Sequence, residues 1–524
     1  MIKTDIILPI KYNTDIILEQ IAERLPTLSR EEIREMHLVR RSLDLTPTDA
    51  PVYRATVALT LDPEREAGLL KMRKKVKEAD EERFTAPAYS ADFRPVVVGA
   101  GPAGLFAALT LAEAGARPII LERGLPVEER AAKIKLFERL GILSPECNVQ
   151  FGEGGAGAYS DGKLKTGARD KYKMKVIDEL IGAGADGDIA FSDTAHLGTD
   201  RLPVLVRALR ERIVSLGGEF IYSARLTDIV LRDGQLSSVT YEQNREKITL
   251  DTRAVILAVG HSARDTLTML YNKGLKMSPR GFGIGMRIEH PREYINKIVY
   301  GRHANMIDDA ASYHLVTHLS SGRSVYSFCM CPGGTVVAAA SEEGGIVTNG
   351  MSEYARAAEN SNAALLVSVT PRDFASDSPL SGIELQQKIE RAAYSLTSDY
   401  RAPSESLGEL LGGGAEGEVV PSYPRGTERI SAEKYLPSFV TDSLRAAISD
   451  FDAWLPGYAY GGAVLTGPET RTTSPVRIER DGRHEALGFS GVYPAGEGAG
   501  YAGGIVSSAV DGIKTAEMLI LNTK

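Results

Sequence analysis

Three glycines and one acid set the first chemical possibility. Within PVVVGAGPAGLFAALTLAEAGARPIILERG, residues 95–124, Gly99, Gly101 and Gly104 have G-x-G-x-x-G spacing, and Glu122 stands eighteen residues after Gly104. Gly99 and Gly101 allow a tight turn and a close backbone approach to a pyrophosphate, and Gly104 lets a following helix pack closely. Pro102 and Ala103, inside the motif, belong to the same candidate cradle. An acid at Glu122 accepts hydrogen bonds from ribose hydroxyls and repels a 2′-phosphate, with Arg123 beside it as a further contact. Spacing of this kind also arises by chance, so the elements around it decide its weight.

Those elements suit dinucleotide binding. Val96–Val98 is a short β-branched run bounded by glycine, as in a buried parallel strand. Leu105, Ala108, Leu109 and Ala112 recur at helical spacing, and Gly115 stands where a left-handed C-cap would end the helix. A second strand, 118–121, leads to Glu122. The plainer alternative is a strand-turn-helix with no nucleotide. A similar string at 181–187, IGAGADG, has no hydrophobic strand before it and reads as a helix end and loop.

Two more glycine-rich stretches carry polar groups. FGEGGAGAYSDGKLKTG, 151–167, allows backbone at Gly155, Ala156 and Gly157 to lie against a flat ligand beside Ser160, Asp161 and Lys163; a plain loop is the alternative. Near the end, GVYPAGEGAGYAGGIVSS gives a short strand ending at Gly496 and Glu497. The turn Gly503-Gly504 then opens a helix at about Ile505 whose N-terminus can face an anion.

At 524 residues the chain exceeds one ordinary domain. Its 43% hydrophobic and 25% charged residues are those of a globular protein, and a net charge of −8 provides no global basic field for nucleic acid. No apolar run approaches the roughly 18 residues of a membrane span, and MIKTDIILPIKYNTD lacks a signal-peptide pattern. Three cysteines, Cys147, Cys329 and Cys331, make no disulfide framework, so a cytoplasmic location is expected. No metal-ligand spacing and no GxSxG elbow is present.

Residues 1–85 read as a small α+β domain. Strands are expected at 2–10, 39–45 and 52–61, and helices at 14–24, 29–36 and 63–82, with Ser29 and Glu32 as a capping box. Arg34, Arg40 and Arg41 could form a basic patch, although a solvated charged face is the plainer reading. A linker, 86–94, leads into 95–279, the first part of the nucleotide domain, where Asp233-Gly234 marks a hairpin and 254–259 a buried strand. Residues 280–450 read as an inserted domain, and 451–524 close the nucleotide domain.

The GAGPAG opening with LERG, the middle AVILAVGHSARDT and the closing VYPAGEGAGYAGG together resemble the three fingerprints of FAD proteins of the two-dinucleotide-binding type. More narrowly, GEGGAGAYSDGKL, RIEHP, FCMCPGG, VTNGMSEYAR and ETRTTSPVRI resemble a bacterial family usually labelled uncharacterised FAD-dependent, or NAD(FAD)-utilising, dehydrogenases. The resemblance covers nearly the whole chain, with Thr473 where that family is expected to have serine. It implies an α/β, Rossmann-type, glutathione-reductase-like FAD domain with an inserted α+β substrate domain. It also implies a contact from Glu497 to the ribityl chain, and Leu226, Ala258 and Gly260 as further cofactor neighbours.

Bound flavin would do the redox chemistry and the protein would tune it. The helix opening at Ile505 and Arg471 or Arg477 are candidates to stabilise the reduced form, with Lys163 a second choice; an ion pair is the plainer role for each arginine. His261 and His290 are candidate proton donors, more commonly satisfied loop residues. Cys329 and Cys331 would share one side of an extended strand, as a redox pair or as packing. The expected activity is hydride exchange between flavin and a small-molecule substrate. Without a second nucleotide fingerprint, NADH or NADPH would bind only transiently. The alternatives are a macromolecular partner, RNA or protein, held by residues 1–85, and a flavin bound without turnover.

Overall fold

The computed structural model describes residues 1–72, 75–79, 82–164, 170–414, 417 and 419–523. Contacts divide the chain into two compact units. One joins Met1–Phe84, Lys163–His196 and Tyr300–Asp309, and the other joins Thr85–Gly162, Leu197–Val299 and Ala310–Lys524. The first unit thus reaches beyond the 1–85 stretch read from composition.

In the first unit, Ile2, Thr4, Ile6 and Leu8 alternate inward along strand Ile2–Pro9. That strand is central, antiparallel to Val52–Thr60 on one side and to Lys77–Glu78 on the other, with Glu35–Asp44 beyond Val52–Thr60. Helix Thr14–Arg24 starts where Asn13 accepts the Ile16 N–H and buries Ile17 and Ile21 against the sheet. Two expected helices are shorter than read. The Ser29 capping box forms, but it closes a single turn, Arg30–Glu32, before strand Glu35–Asp44 claims the following residues. Helix Pro63–Leu70 ends twelve residues before 82, because Val76 is drawn into the core and Lys77–Glu78 pairs with Ile2 and Lys3. The helix as read also ran over residues 73, 74, 80 and 81, which lie outside those described.

Arg34, Arg40 and Arg41 do not pool their charge. Arg34 pairs with Asp62, Arg40 pairs with Asp193 at 3.1 Å, and Arg41 lies over the rings of Tyr53 and Phe191.

The second unit contains a five-stranded parallel sheet in the order Val492–Pro494, Val255–Leu257, Val96–Val98, Ile119–Leu121, Glu219–Ile221. The last strands of the chain therefore join the first of the motif. The helix expected after Gly101 is Pro102–Glu113, buried continuously from Ala103 to Ala112. The C-terminal helix Ile505–Asn522 covers its outer face, and a Cβ on Gly512 would come within 2.1 Å of the Ala103 carbonyl oxygen. The predicted hairpin joins Arg225–Arg232 to Gln235–Gln243 through Asp233 (φ 52°) and Gly234 (φ 78°), the two left-handed residues that match strand twist.

A second, seven-stranded sheet runs Val316–His318, Ser324–Cys331, Asn360–Val369, Phe282–Pro291, Val464–Glu469, Ala402–Ser406, Thr427–Arg429. The inserted region does not stop at 450, since Val464–Glu469 pairs antiparallel with Phe282–Pro291 inside this sheet. Met277–Pro279 and Val476–Ile478 then pair with each other where the chain enters and leaves it.

Candidate flavin site

The site begins at glycines whose hydrogen is the only atom that fits. Gly99 has φ 100°, and a Cβ there would meet the Ala258 oxygen at 2.3 Å. A Cβ on Gly104 would meet the Gly99 oxygen at 1.8 Å, so the third glycine serves the turn more than helix–sheet packing. A Cβ on Gly496 would come within 2.6 Å of Ala103 Cβ, and one on Gly498 within 2.5 Å of the Gly260 oxygen. A Cβ on Gly155 would meet Gly101 Cα at 3.0 Å, and one on Gly157 would meet Ile505 Cγ1 at 3.2 Å. Four segments that are far apart in sequence thus meet at backbone distance.

Other glycines in the same place are not crowded. Gly101 would meet only Gly155 Cα at 3.7 Å, and Gly503 nothing within 4 Å, which leaves room for a ligand to approach the backbone. Helices Pro102–Glu113 and Ile505–Asn522 are N-capped by Gly101 and Gly504, with no side-chain cap on either. Their first-turn N–H groups carry the positive end of each helix dipole toward this region. Pro102, Ala103 and Ile505 are first-turn residues of these two helices.

Glu122 is buried, and its carboxylate accepts backbone N–H groups from Ala100 (2.8 Å), Gly124 (2.9 Å) and Gly152 (3.0 Å). Oε1 takes two of these and Oε2 one, so Oε2 keeps a lone pair for a ribose hydroxyl. Arg123 is occupied elsewhere: it pairs with Glu146 (2.7 Å) and bidentately with Asp265, over the Phe151 ring. Arg130, to which the sequence reading assigned no role, is fully buried and donates to the carbonyls of Asn148, Val149, Gly152, Glu153 and Gly155. Burial lowers its pKa, yet its five bonds hold the 148–155 loop, with Glu122 taking the Gly152 N–H. Its sequence signal is slight, a lone arginine in the first turn of helix Val127–Leu140.

Ala156, between Gly155 and Gly157, starts the turn Ala156–Tyr159. Ser160 donates to the Gly157 oxygen, and Asp161 is held at both oxygens by Arg356 (3.1 and 2.6 Å). Neither is a free ligand contact. Lys163 is half-buried and belongs to the first unit. Leu226 is buried in the apolar cluster with Val96, Val98 and Leu257, so its side chain is spent on the core. The end of the loop, 165–167, lies outside the described residues.

Burial pushes the Glu497 carboxyl up to about 7, with Arg280 pulling the other way. Arg280 is half-buried and donates to Thr473 Oγ1 at 3.3 Å. Arg477 lies over Tyr501 and donates to the Gly500 carbonyl. Arg471 is a structural ion-pair partner: it chelates Glu390 (3.1 and 2.9 Å) and bonds Ser341, while Arg264 grips the same carboxylate (2.7 and 2.8 Å). Burial raises the Glu390 carboxyl, but the two guanidinium groups outweigh it and hold the acid well below its usual range. The same two arginines add to burial in lowering His261 to about 3, a neutral imidazole beside Ser262 Oγ. His290 is buried with Nε2 against the Tyr458 carbonyl (3.0 Å), stacked on Tyr294; it fills a core and offers substrate no proton.

Cys329 and Cys331 do not follow simple strand alternation. Cys329 has φ 41°, and a bulge separates Phe328 from Cys331 in pairing with Asn360–Val369. Cys329 stays half-buried, Cys331 is fully buried, and Cys331 Sγ donates to the Cys329 oxygen at 3.2 Å. Next to them Arg287 chelates Glu469 (2.5 and 3.0 Å) and bonds the Cys329 carbonyl, Asn349 and Asn362. Burial lifts Glu469 to about 7 despite Arg287.

A family model described as an FAD-binding domain matches residues 94–132, over the first glycine turn and Glu122. Another, described as an FAD-dependent protein, C-terminal domain-like, matches 281–472, a range that contains every strand of the seven-stranded sheet. A relative from Clostridium beijerinckii, named as an uncharacterized protein, is 44% identical over 517 residues, 97% of this chain and 96% of its own. The chain belongs to the FAD-dependent dehydrogenase family that its motifs resemble. FAD is its cofactor, and the enzyme is an FAD-dependent oxidoreductase. The open glycines, the two uncapped helix N-termini and the free lone pair of Glu122 fit that cofactor. Among solved structures the flavoenzyme is similar to a geranylgeranyl bacteriochlorophyll reductase-like protein from Thermoplasma acidophilum. There the identity is 12%, the coverage 83% of this chain and 78% of that one, and the TM-score 0.37. It is also similar to a flavoprotein/dehydrogenase from Cytophaga hutchinsonii, with identity 12%, coverage 81% and 76%, and TM-score 0.36. Among the described residues no helix is long and apolar enough to cross a membrane.

Proposed function

We propose that the flavoenzyme exchanges a hydride with a small-molecule substrate admitted between its parallel sheet and its seven-stranded sheet. The supporting observation is the convergence of 99–104, 155–157, 258–260 and 496–504 at backbone distance, with crowded glycines building the cradle and open ones facing its interior. When bound, FAD supplies two-electron chemistry at its N5. The pyrophosphate would lie on the turn Gly101–Gly104, a ribose on Glu122 Oε2, and the sugar-alcohol chain on Glu497.

The protein's own part is electrostatic. Helix Ile505–Asn522 directs its N-terminus at the site, where it favours negative charge gained on reduction. Arg471 does not perform that task, since Glu390 consumes it. On the substrate side Glu469, near neutrality in pKa, can hold or release a proton at working pH. Reduced nicotinamide would be a transient electron donor. Free cysteines at 147, 329 and 331 fit a reducing cytoplasm.

Purified protein should be yellow, or become so with FAD, and NADH or NADPH should bleach it anaerobically. Colourless protein that takes up no FAD refutes the cradle. Flavin that dithionite reduces and neither nicotinamide does refutes the proposed donor.

A further inference from the structure

Cys329 and Cys331 stand beside the cradle loop: the turn that follows them packs Gly333 on Arg356, whose guanidinium holds Asp161 of that loop at 3.1 and 2.6 Å. Two residues of strand span about 6.6 Å, at the upper limit of the Cα separation a disulfide tolerates. Ordinary pleating would leave the pair at that limit. Here the strand departs from it: Cys329 adopts a left-handed φ of 41°, uncommon for a residue with a side chain, and the bulge falls between Phe328 and Cys331. The Cys331 thiol donates to the Cys329 carbonyl oxygen at 3.2 Å, and Arg287 fixes that same carbonyl at 2.9 Å. After Cys331 the turn is locked, since a Cβ on Gly333 would strike the Arg356 oxygen at 1.7 Å. Strain held in place by a buried arginine and a turn with no slack belongs to a positioned group.

We propose that Cys329 and Cys331 are a dithiol–disulfide couple that exchanges two electrons with the bound flavin. This rests on the flavin occupying the cradle described above. In the oxidising direction two S–H bonds break and one S–S bond forms. Two electrons and one proton pass to the oxidised flavin, and the second proton passes to a neighbouring carboxylate. The reverse step opens the disulfide at the expense of reduced flavin. Cys329, half-buried, is the sulfur a thiol or disulfide substrate can reach, and Cys331, fully buried, resolves it.

The test uses the full chain loaded with FAD. After oxidation with a dialkyl disulfide and its removal, anaerobic dithionite titration should take up four electrons per flavin, against two in Cys329→Ser and Cys331→Ser. Trypsin releases residues 324–356 as one peptide containing both cysteines. In oxidised wild-type protein it should be lighter by two hydrogen atoms, and it should regain them as flavin and protein are reduced together. That measurement needs no variant. A flavin that titrates normally with two electrons, while the peptide keeps both thiols, overturns the couple and leaves the cradle standing. A chain that binds no FAD but closes the disulfide overturns the electron exchange.

Discussion

Replacing Arg130 by methionine tests whether one buried cation shapes the flavin loop. The substitution keeps length and apolar bulk but withdraws donors from five carbonyls, those of Asn148, Val149, Gly152, Glu153 and Gly155. Each buried carbonyl left unpaired costs about 1–3 kcal/mol, so even the low end gives a gross loss of about 5 kcal/mol. Removing a guanidinium that is itself fully desolvated returns part of this, and water reaching the loop returns more. A net destabilisation of about 2–4 kcal/mol remains. The loop also places Gly155 against Gly101, so cofactor affinity should fall together with stability. Urea unfolding followed by fluorescence gives the first quantity, and FAD titration of the apoprotein gives the second. Arg130→Met with an unchanged midpoint and unchanged FAD affinity would refute the idea that these carbonyls depend on the arginine.

Glu390→Gln takes from Arg264 and Arg471 the buried carboxylate they share, leaving the partly exposed Glu342 for both guanidinium groups, and should destabilise by about 3 kcal/mol in urea. Because the folded-state pKa of Glu390 is depressed, its contribution is present above the unfolded value near 4.3 and fades as pH falls below it. Wild-type stability should therefore drop in that acid range more steeply than that of the variant. Glu497 has the opposite sign: its pKa, raised to about 7, makes the apoprotein lose stability as pH climbs from about 4.3 to 7. If ribityl hydroxyls donate to its carboxylate, FAD affinity should rise over the same interval, and Glu497→Gln should flatten that dependence in isothermal titration. Gly104→Ala places a methyl 1.8 Å from the Gly99 oxygen, backbone against backbone, and should yield protein without visible flavin absorbance.

Much of the cradle was legible in the sequence because glycine has few reasons to recur at fixed spacing beside a β-branched run and an acid. The strand at 96–98, the helix from Pro102 and the closing helix at Ile505 lie where the residues place them. The reading fell short where long-range pairing decides. Nothing local tells that Val76 will be buried or that Lys77–Glu78 will join a sheet edge, so helix spacing carried the expectation past Leu70. Val464–Glu469 pairs with a strand some 180 residues earlier, which no local pattern reveals. Charged groups were hardest. Arg123, Arg471 and Asp161 have the right types for ligand contacts, but their partners Asp265, Glu390 and Arg356 come from distant segments, and only the fold shows them already engaged.

The edge position of Val492–Pro494 in the parallel sheet has a consequence for biosynthesis. Residues 96–113 emerge from the ribosome early, yet the helix they form is apolar on every face and awaits Ile505–Asn522 for its cover. The cradle is complete only with Ile505–Asn522 packed on that early helix, so truncating the later helix should cost the enzyme its colour.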